Sequence, residues 1–297
     1  MTTSGQIDQQ NSQNRYELRN RYVFRGNLVM ETALHIGGGK ATLSSSDSPV
    51  VLTPDQKPFI PGSSFKGALR STVEKIVSNL PGLWTCSLIE LSNEELQEER
   101  EQGRKICSTA RQGEITREKR EHPERAATFQ KEAIDGLCST CRLFGSPFTA
   151  ARLNVNDLYM PKEEWSGVVQ TRDGVAIDRD SEKAKDRLKY DFEVVPASTS
   201  FFMEIVLENA TQQDLQMICA GLSEYEHGFG VIGGKRSRGL GVSRLDGLKV
   251  FALELIGDNV DIAMRNQRLR DYLISGQYSD EIDGPEFLAK HIESIFE

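Results

Sequence analysis

The chain has 297 residues, with 36 Lys and Arg against 44 Asp and Glu, for a net charge of -8. No apolar run approaches the ~20 residues of a membrane span, and the N-terminus lacks an apolar signal core, so a cytoplasmic protein with no membrane partner is expected. The acidic balance excludes a wholly basic duplex-binding surface but permits a local basic groove, and five cysteines, an odd number, argue against a closed disulfide framework.

Residues 1–15 are polar and without apolar pattern, and read as a disordered arm. Residues 22–36 are rich in strand formers and predict a first strand, ending at His35. The GGGKAT loop that follows is not a nucleotide-binding loop: Leu34 stands where the first glycine belongs and Ala41 where Ser or Thr belongs. Pro61 to Asn79 predicts a helix, with Phe65, Ala68, Leu69, Val73, Ile76 and Val77 at helical spacing and Ser63 or Ser64 as N-cap. A helix start offers free N–H groups to phosphate, and Lys66 and Arg70 share one face beside it.

Residues 81–136 are dense in charged residues and read as an insertion with no hydrophobic core of its own. Cys138 and Cys141 have the spacing of a metal-ligand pair, and Cys86 and Cys107 lie upstream. Together they predict a four-thiolate structural Zn2+ site that folds the insertion, with His122 as the alternative fourth ligand. Cys219 falls on an apolar helix face and reads as core.

Residues 152–159 read as a strand, and about 165–190 as a long projecting hairpin. Its cations Arg172, Arg179, Lys183, Lys185, Arg187 and Lys189 alternate with acids, and Val175, Ala176 and Ile177 form its apolar part. A strand over Thr199–Leu207 and a helix over Ala210–His227 follow. Then comes GGKRSRGLG, Gly233 to Gly241, with four glycines and three cations in nine residues. Glycine lets backbone approach a ligand closely, and Lys235, Arg236 and Arg238 add directed charge, so this loop is expected to grip a polyanion. A strand over Leu240–Leu248 and C-terminal helices over Asn259–Ile274 and Pro285–Phe296 complete the chain.

Stripped of insertions, the order is strand, helix, strand, hairpin, strand, helix, strand. That is an α+β plan of the ferredoxin-like (RRM-like) kind. The palm takes 16–80 and 137–250, and helices take 251–297.

Three motifs in fixed order then carry a resemblance: LHIGGG with DSPV (Leu34 to Gly39, Asp47 to Val50), FIPGSSFKGALR (Phe59 to Arg70) and GGKRSRGLG. With RLNVNDLY (152–159) and DFEVVP (191–196), the chain resembles the RAMP (repeat-associated mysterious protein) superfamily over about residues 22–250, within it the backbone subunits of type III CRISPR effector complexes. The resemblance implies a palm with a projecting β-hairpin thumb, and subunits joined head to tail along a CRISPR RNA. It implies a thumb that displaces bases of the duplex between guide and target single-stranded RNA. It also implies cleavage of the target, with a divalent cation such as Mg2+ and with Asp47 as the catalytic carboxylate. Read as residues alone, Asp47 is a turn former before Ser-Pro, and Asp55 is the competing carboxylate. RNA contacts are expected at His35, Ser63, Ser64, Lys66, Arg70, Arg172, Arg179, Lys235, Arg236 and Arg238. A histidine packed at a strand end is the other reading of His35. A non-catalytic RNA-binding scaffold, or a standalone endonuclease, are the alternatives.

Overall fold

The computed structural model describes residues 17–39, 46–86, 92, 94–95, 97–98, 107, 109–161, 165, 167–180, 182–257 and 259–297. The expected N-terminal arm and much of the upstream insertion lie outside them, as do the side chains of Ala176, Ile177, Lys185, Arg187 and Lys189.

The first strand, β1 (Asn20–Met30), alternates as a half-buried strand should. Tyr22, Phe24, Leu28 and Met30 face the core, while Arg21, Arg25 and Asn27 face away. A register shift between Arg25 and Asn27 interrupts the pairing of β1 with the strand at Val242–Glu254. The sequence reading carried this strand to residue 36; it ends at Met30, and Leu34 makes only an isolated bridge to Val195. After β2 (Phe59–Ile60) comes α1 (Gly62–Val77), which buries Phe65, Ala68, Leu69, Val73 and Val77. Its N-cap is Pro61, not a serine, and no side chain caps it from that position. Instead the Asp157 carboxylate accepts from the Gly62 N–H at 2.7 Å. A Cβ on Gly62 would lie 2.3 Å from the Val155 carbonyl, so this close approach needs glycine.

The insertion holds α2 (Thr109–Glu121) and α3 (Ala126–Asp135), and α4 (Ser139–Phe144) follows directly after the boundary expected for it. Against expectation it has a small apolar core: Ile115, Phe129, Ala133, Leu137 and Phe148 close around Cys107, Cys138 and Cys141. β3 (Leu153–Val155) and β4 (Leu158–Tyr159) split the single strand expected there. The hairpin β5 (Gln170–Ile177) and β6 (Ala184–Val194) forms its own two-stranded sheet, and β6 runs beyond the expected boundary to take in most of DFEVVP.

β7 (Ser200–Glu208) leads into α5 (Gln212–Glu226), whose start carries a full Thr211–Asp214 capping box. β8 (Gly230–Val231), β9 (Val242–Glu254), α6 (Ile262–Ser275), β10 (Asp280–Asp283) and α7 (Gly284–Glu293) follow. Strand β10 was not expected; it adds an edge to β9, pairing Ile282 with Val250. Among the described residues the main sheet is antiparallel, in the order β10-β9-β1-β7-β4-β2, with β3 also on β7 and β8 also on β9. The architecture is α+β. The main core joins the inward residues of β1, β7 and β9 to α1 and α5.

Candidate functional site

Three segments meet beyond the end of β1. The first is the glycine-rich loop. Lys235 lies in the left-handed region at φ 59°, Arg236–Arg238 form a short 3-10 turn, and Gly239 and Gly241 follow at φ 76° and 87°. A Cβ on Gly241 would sit 1.9 Å from the Ile232 carbonyl, so no other residue fits. Backbone bonds from Gly234 to the His35 carbonyl (2.8 Å) and from Gly241 to the Ala33 carbonyl (3.0 Å) tie the loop to the segment after β1. Arg236 and Arg238 are exposed.

The second segment is the base of the hairpin, Tyr190 to Glu193. Strand alternation sends its residues two ways. Tyr190 and Phe192 face the glycine-rich loop: the Lys235 ammonium lies 4.6 Å from the Phe192 ring centre, and the Arg238 guanidinium 5.5 Å from that of Tyr190. Asp191 and Glu193 face the third segment, the Asp47 loop.

In that loop Asp47 is exposed. Its N–H donates to Asp191 Oδ1 at 2.7 Å, and the Asp191 N–H donates to Asp47 Oδ2 at 3.1 Å. The Ser46 hydroxyl also donates to Asp191, the Glu193 N–H to the Ser48 carbonyl, and the Val50 N–H to the Glu193 carboxylate. Asp55 sits in a turn of its own, where the Thr53 hydroxyl and then the Lys57 charge hold its pKa below the ordinary carboxylate value.

His35 is buried, with Nδ1 2.7 Å from the Glu193 carbonyl and Nε2 3.3 Å from the Ser48 hydroxyl. A carbonyl only accepts, so Nδ1 carries a proton and donates to it, while Nε2 faces the Ser48 hydroxyl. Phe192 packs edge-on against the ring at 5.8 Å. The histidine thus joins the Asp47 loop to the hairpin from the segment after β1.

The start of α1 is arranged differently from its sequence expectation. Ser63 is exposed, and Ser64 donates its N–H to the Pro61 carbonyl. Lys66 is turned inward, its ammonium 3.0 Å from the Leu153 carbonyl, and burial, then the Arg70 charge, lowers its pKa. Arg70 is engaged on all three guanidinium nitrogens: Nε with Glu74 (2.8 Å), Nη2 with Cys141 Sγ (3.2 Å) and Nη1 with the Gly145 carbonyl (3.4 Å). On the hairpin, Arg172 and Arg179 are exposed and Val175 is 48% exposed.

A second centre lies in the insertion. The sulfurs of Cys86, Cys107, Cys138 and Cys141 all fall within 4.8 Å of one another, and none forms a disulfide. A tetrahedral ion with metal–sulfur bonds of ~2.3 Å separates its ligands by ~3.8 Å; Cys86 and Cys141 stand at 3.6 Å. Backbone N–H groups of Cys138 and Cys141 donate to the sulfurs of Cys107 and Cys138 at 3.2 and 3.3 Å. The Cys107 thiol beside it pushes Cys138 well below the usual thiol range, while Cys107 itself is pushed up. This cluster could hold a metal ion. His122 is outside it, exposed and 3.5 Å from Glu124.

The sequence reading missed Tyr190, Asp191, Phe192 and Glu193 as site residues. Their signal was the alternation of aromatic and acidic residues in YDFE.

Comparison with known proteins gives a match of the RAMP superfamily model to residues 27–243. The chain is similar to the CRISPR system Cms endoribonuclease Csm3 of Enterococcus italicus (47% identical over 60 residues) and to that of Methanocaldococcus jannaschii (38% over 60). These alignments cover 19% and 20% of this chain and 28% and 24% of those relatives. The matched stretch thus spans about a quarter of the length of the curated relatives. No helix among the described residues is long and apolar enough to cross a membrane.

Proposed function

The chain belongs to the RAMP superfamily, and from that premise we propose that it is a guide-RNA-binding backbone subunit of a cytoplasmic type III CRISPR effector complex that cleaves bound target RNA at Asp47. We read the antiparallel order β9-β1-β7-β3, with α1 and α5 crossing one face, as a ferredoxin-like palm, and the β5–β6 hairpin as its thumb. The observation that carries the proposal is the meeting of the cationic loop, the hairpin base and the Asp47 loop. Neighbouring subunits would join head to tail along the guide, which Arg236 and Arg238 grip by phosphate. Lys235 is held on Phe192 and shapes the loop, while Arg172 and Arg179 on the hairpin add outlying cations. Ser63, exposed at the start of α1, would meet the same backbone. Lys66, Arg70 and His35 serve it indirectly, because their polar groups are already engaged inside the fold.

RNA carries its own nucleophile. The 2′-hydroxyl attacks the adjacent phosphorus, the bond to the 5′-oxygen breaks, and a cyclic phosphate and a 5′-hydroxyl result. The protein's task is alignment and charge. Asp47 is exposed where a ribose can reach it, and Asp191 fixes its backbone. A hard divalent cation such as Mg2+ prefers oxygen ligands. Asp47 and Asp191 offer two carboxylates, so phosphate oxygens and water would complete its shell, and it would supply charge at the phosphate. In the insertion the four cysteines would hold a structural Zn2+.

A non-catalytic scaffold is the second reading, favoured by one observation: the bonds that pin Asp47 are also those of a structural turn. Asp47→Ala in the assembled complex, given guide-matched RNA, separates the two. Lost cutting at this subunit's site with the guide retained supports catalysis; unchanged cutting assigns this chain to scaffolding.

A further inference from the structure

A zinc ion bound by four thiolates carries two net negative charges, and burying them requires compensation. Two compensating groups come from the backbone, the N–H of Cys138 and that of Cys141. A charged side chain also meets the sulfurs: Arg70, reaching in from α1 to Cys141. Its side chain is 15% exposed, and Glu74, 14% exposed and one turn on, fixes Nε at 2.8 Å. The third nitrogen meets the carbonyl of Gly145, the residue that closes α4. One guanidinium therefore spans from its own helix to Cys141 and to the far end of the short helix that Cys138 caps and that bears Cys141.

We propose that Arg70 is a positioning residue of the cysteine centre: it neutralises the Cys141 thiolate and locks the metal-bearing insertion to α1. This rests on the metal reading above. It gives the last residue of the FIPGSSFKGALR motif a task at the metal rather than at RNA. A planar fork with three separate acceptors suits arginine and not lysine. Partners of metal ligands tune affinity by 10- to 100-fold when removed.

The test uses the purified full chain with zinc, then with cobalt in its place. In competition with a chelator, Arg70→Met is expected to weaken metal affinity by about 10- to 100-fold, Arg70→Lys to recover part of the loss, and Glu74→Gln to fall between. With cobalt, Arg70→Met should move the thiolate-to-metal charge-transfer band to lower energy, because the sulfur loses a hydrogen bond; a merely structural role would leave the band in place. Folding is checked by circular dichroism, and Glu74→Gln serves should Arg70→Met fail to fold. Unchanged affinity and an unmoved band in a folded variant overturn the Arg70 role alone. A wild-type chain that takes up neither metal overturns the metal reading itself.

Discussion

Asp47 and Asp191 exchange backbone-to-carboxylate hydrogen bonds at 2.7 and 3.1 Å. They lie 144 positions apart, and the hairpin that carries Asp191 pairs with no strand of the main sheet among the described residues. The exposed carboxylate of one loop is therefore oriented by the Asp191 N–H, and the backbone of that loop by the Asp191 carboxylate. Under the proposed function, Asp191→Ala, which removes the acceptor for the Asp47 N–H and the Ser46 hydroxyl, should slow cleavage by the assembled complex about 10²-fold, the scale of a misplaced catalytic group, with guide retention unchanged. Asp191→Asn keeps an acceptor and should slow it less. Equal rates for all three proteins would show that Asp47 does not depend on this bond.

The two left-handed glycines of the basic loop should differ in cost. Gly239 has open space around its missing side chain, so Gly239→Ala pays only for its positive φ, about 1 kcal/mol. Gly241→Ala adds a collision with the Ile232 carbonyl and should cost at least ~3 kcal/mol, enough to distort the loop. Denaturant unfolding of both variants checks the difference.

The three cations of that loop should not be equivalent. Arg236, bonded through Nε to the Gly233 carbonyl, and Arg238, beside the Tyr190 ring, are both exposed and open to phosphate, whereas Lys235 is half-buried over Phe192. Replacing both arginines with glutamine should reduce the salt slope of single-stranded RNA binding by about 1.4, at ~0.7 per phosphate. Lys235→Gln should change the slope less and melting temperature more. Titration at several salt concentrations gives the slopes.

Metal analysis of the chain should return about one zinc per molecule. A chelator should expose the insertion to protease before the main sheet unfolds, because the insertion's small core is built around the cysteines. A chain that stays equally resistant after metal removal would mean that the apolar residues suffice.

Acid should weaken the C-terminal packing through His291. Burial, then the Lys290 charge, lowers its pKa, and its ring rests 4.4 Å from that of Phe287. The unfolded chain therefore binds the proton more readily, so this contribution is present at neutral pH and is lost as pH falls below the ordinary imidazole value of ~6.5. His291→Phe keeps a packed ring and should flatten the dependence of melting temperature on pH across that window.

Local rules made much of this protein legible. The 3.6-residue stripe of α1, the alternation of β7 and the Cys-x-x-Cys pair each state their structure within a few residues, because backbone periodicity and ligand spacing are short-range properties. The glycines and cations of 233–241 announced an unusual loop for the same reason. The end of β1, the cap of α1 and the edge strand β10 were not legible. Each depends on a partner far along the chain: Val195 for Leu34, Asp157 for Gly62 and β9 for β10.

The sequence by itself determined which chemistries were present: a carboxylate in a polar loop, a cationic glycine-rich turn and four thiols, two of them with metal-ligand spacing. Only the tertiary structure decided which cations stay exposed. Lys66 and Arg70 read as a surface pair, yet packing against β3 and α4 turned them inward. A helical periodicity says which side chains share a face; what that face meets is decided by segments that arrive from elsewhere in the chain.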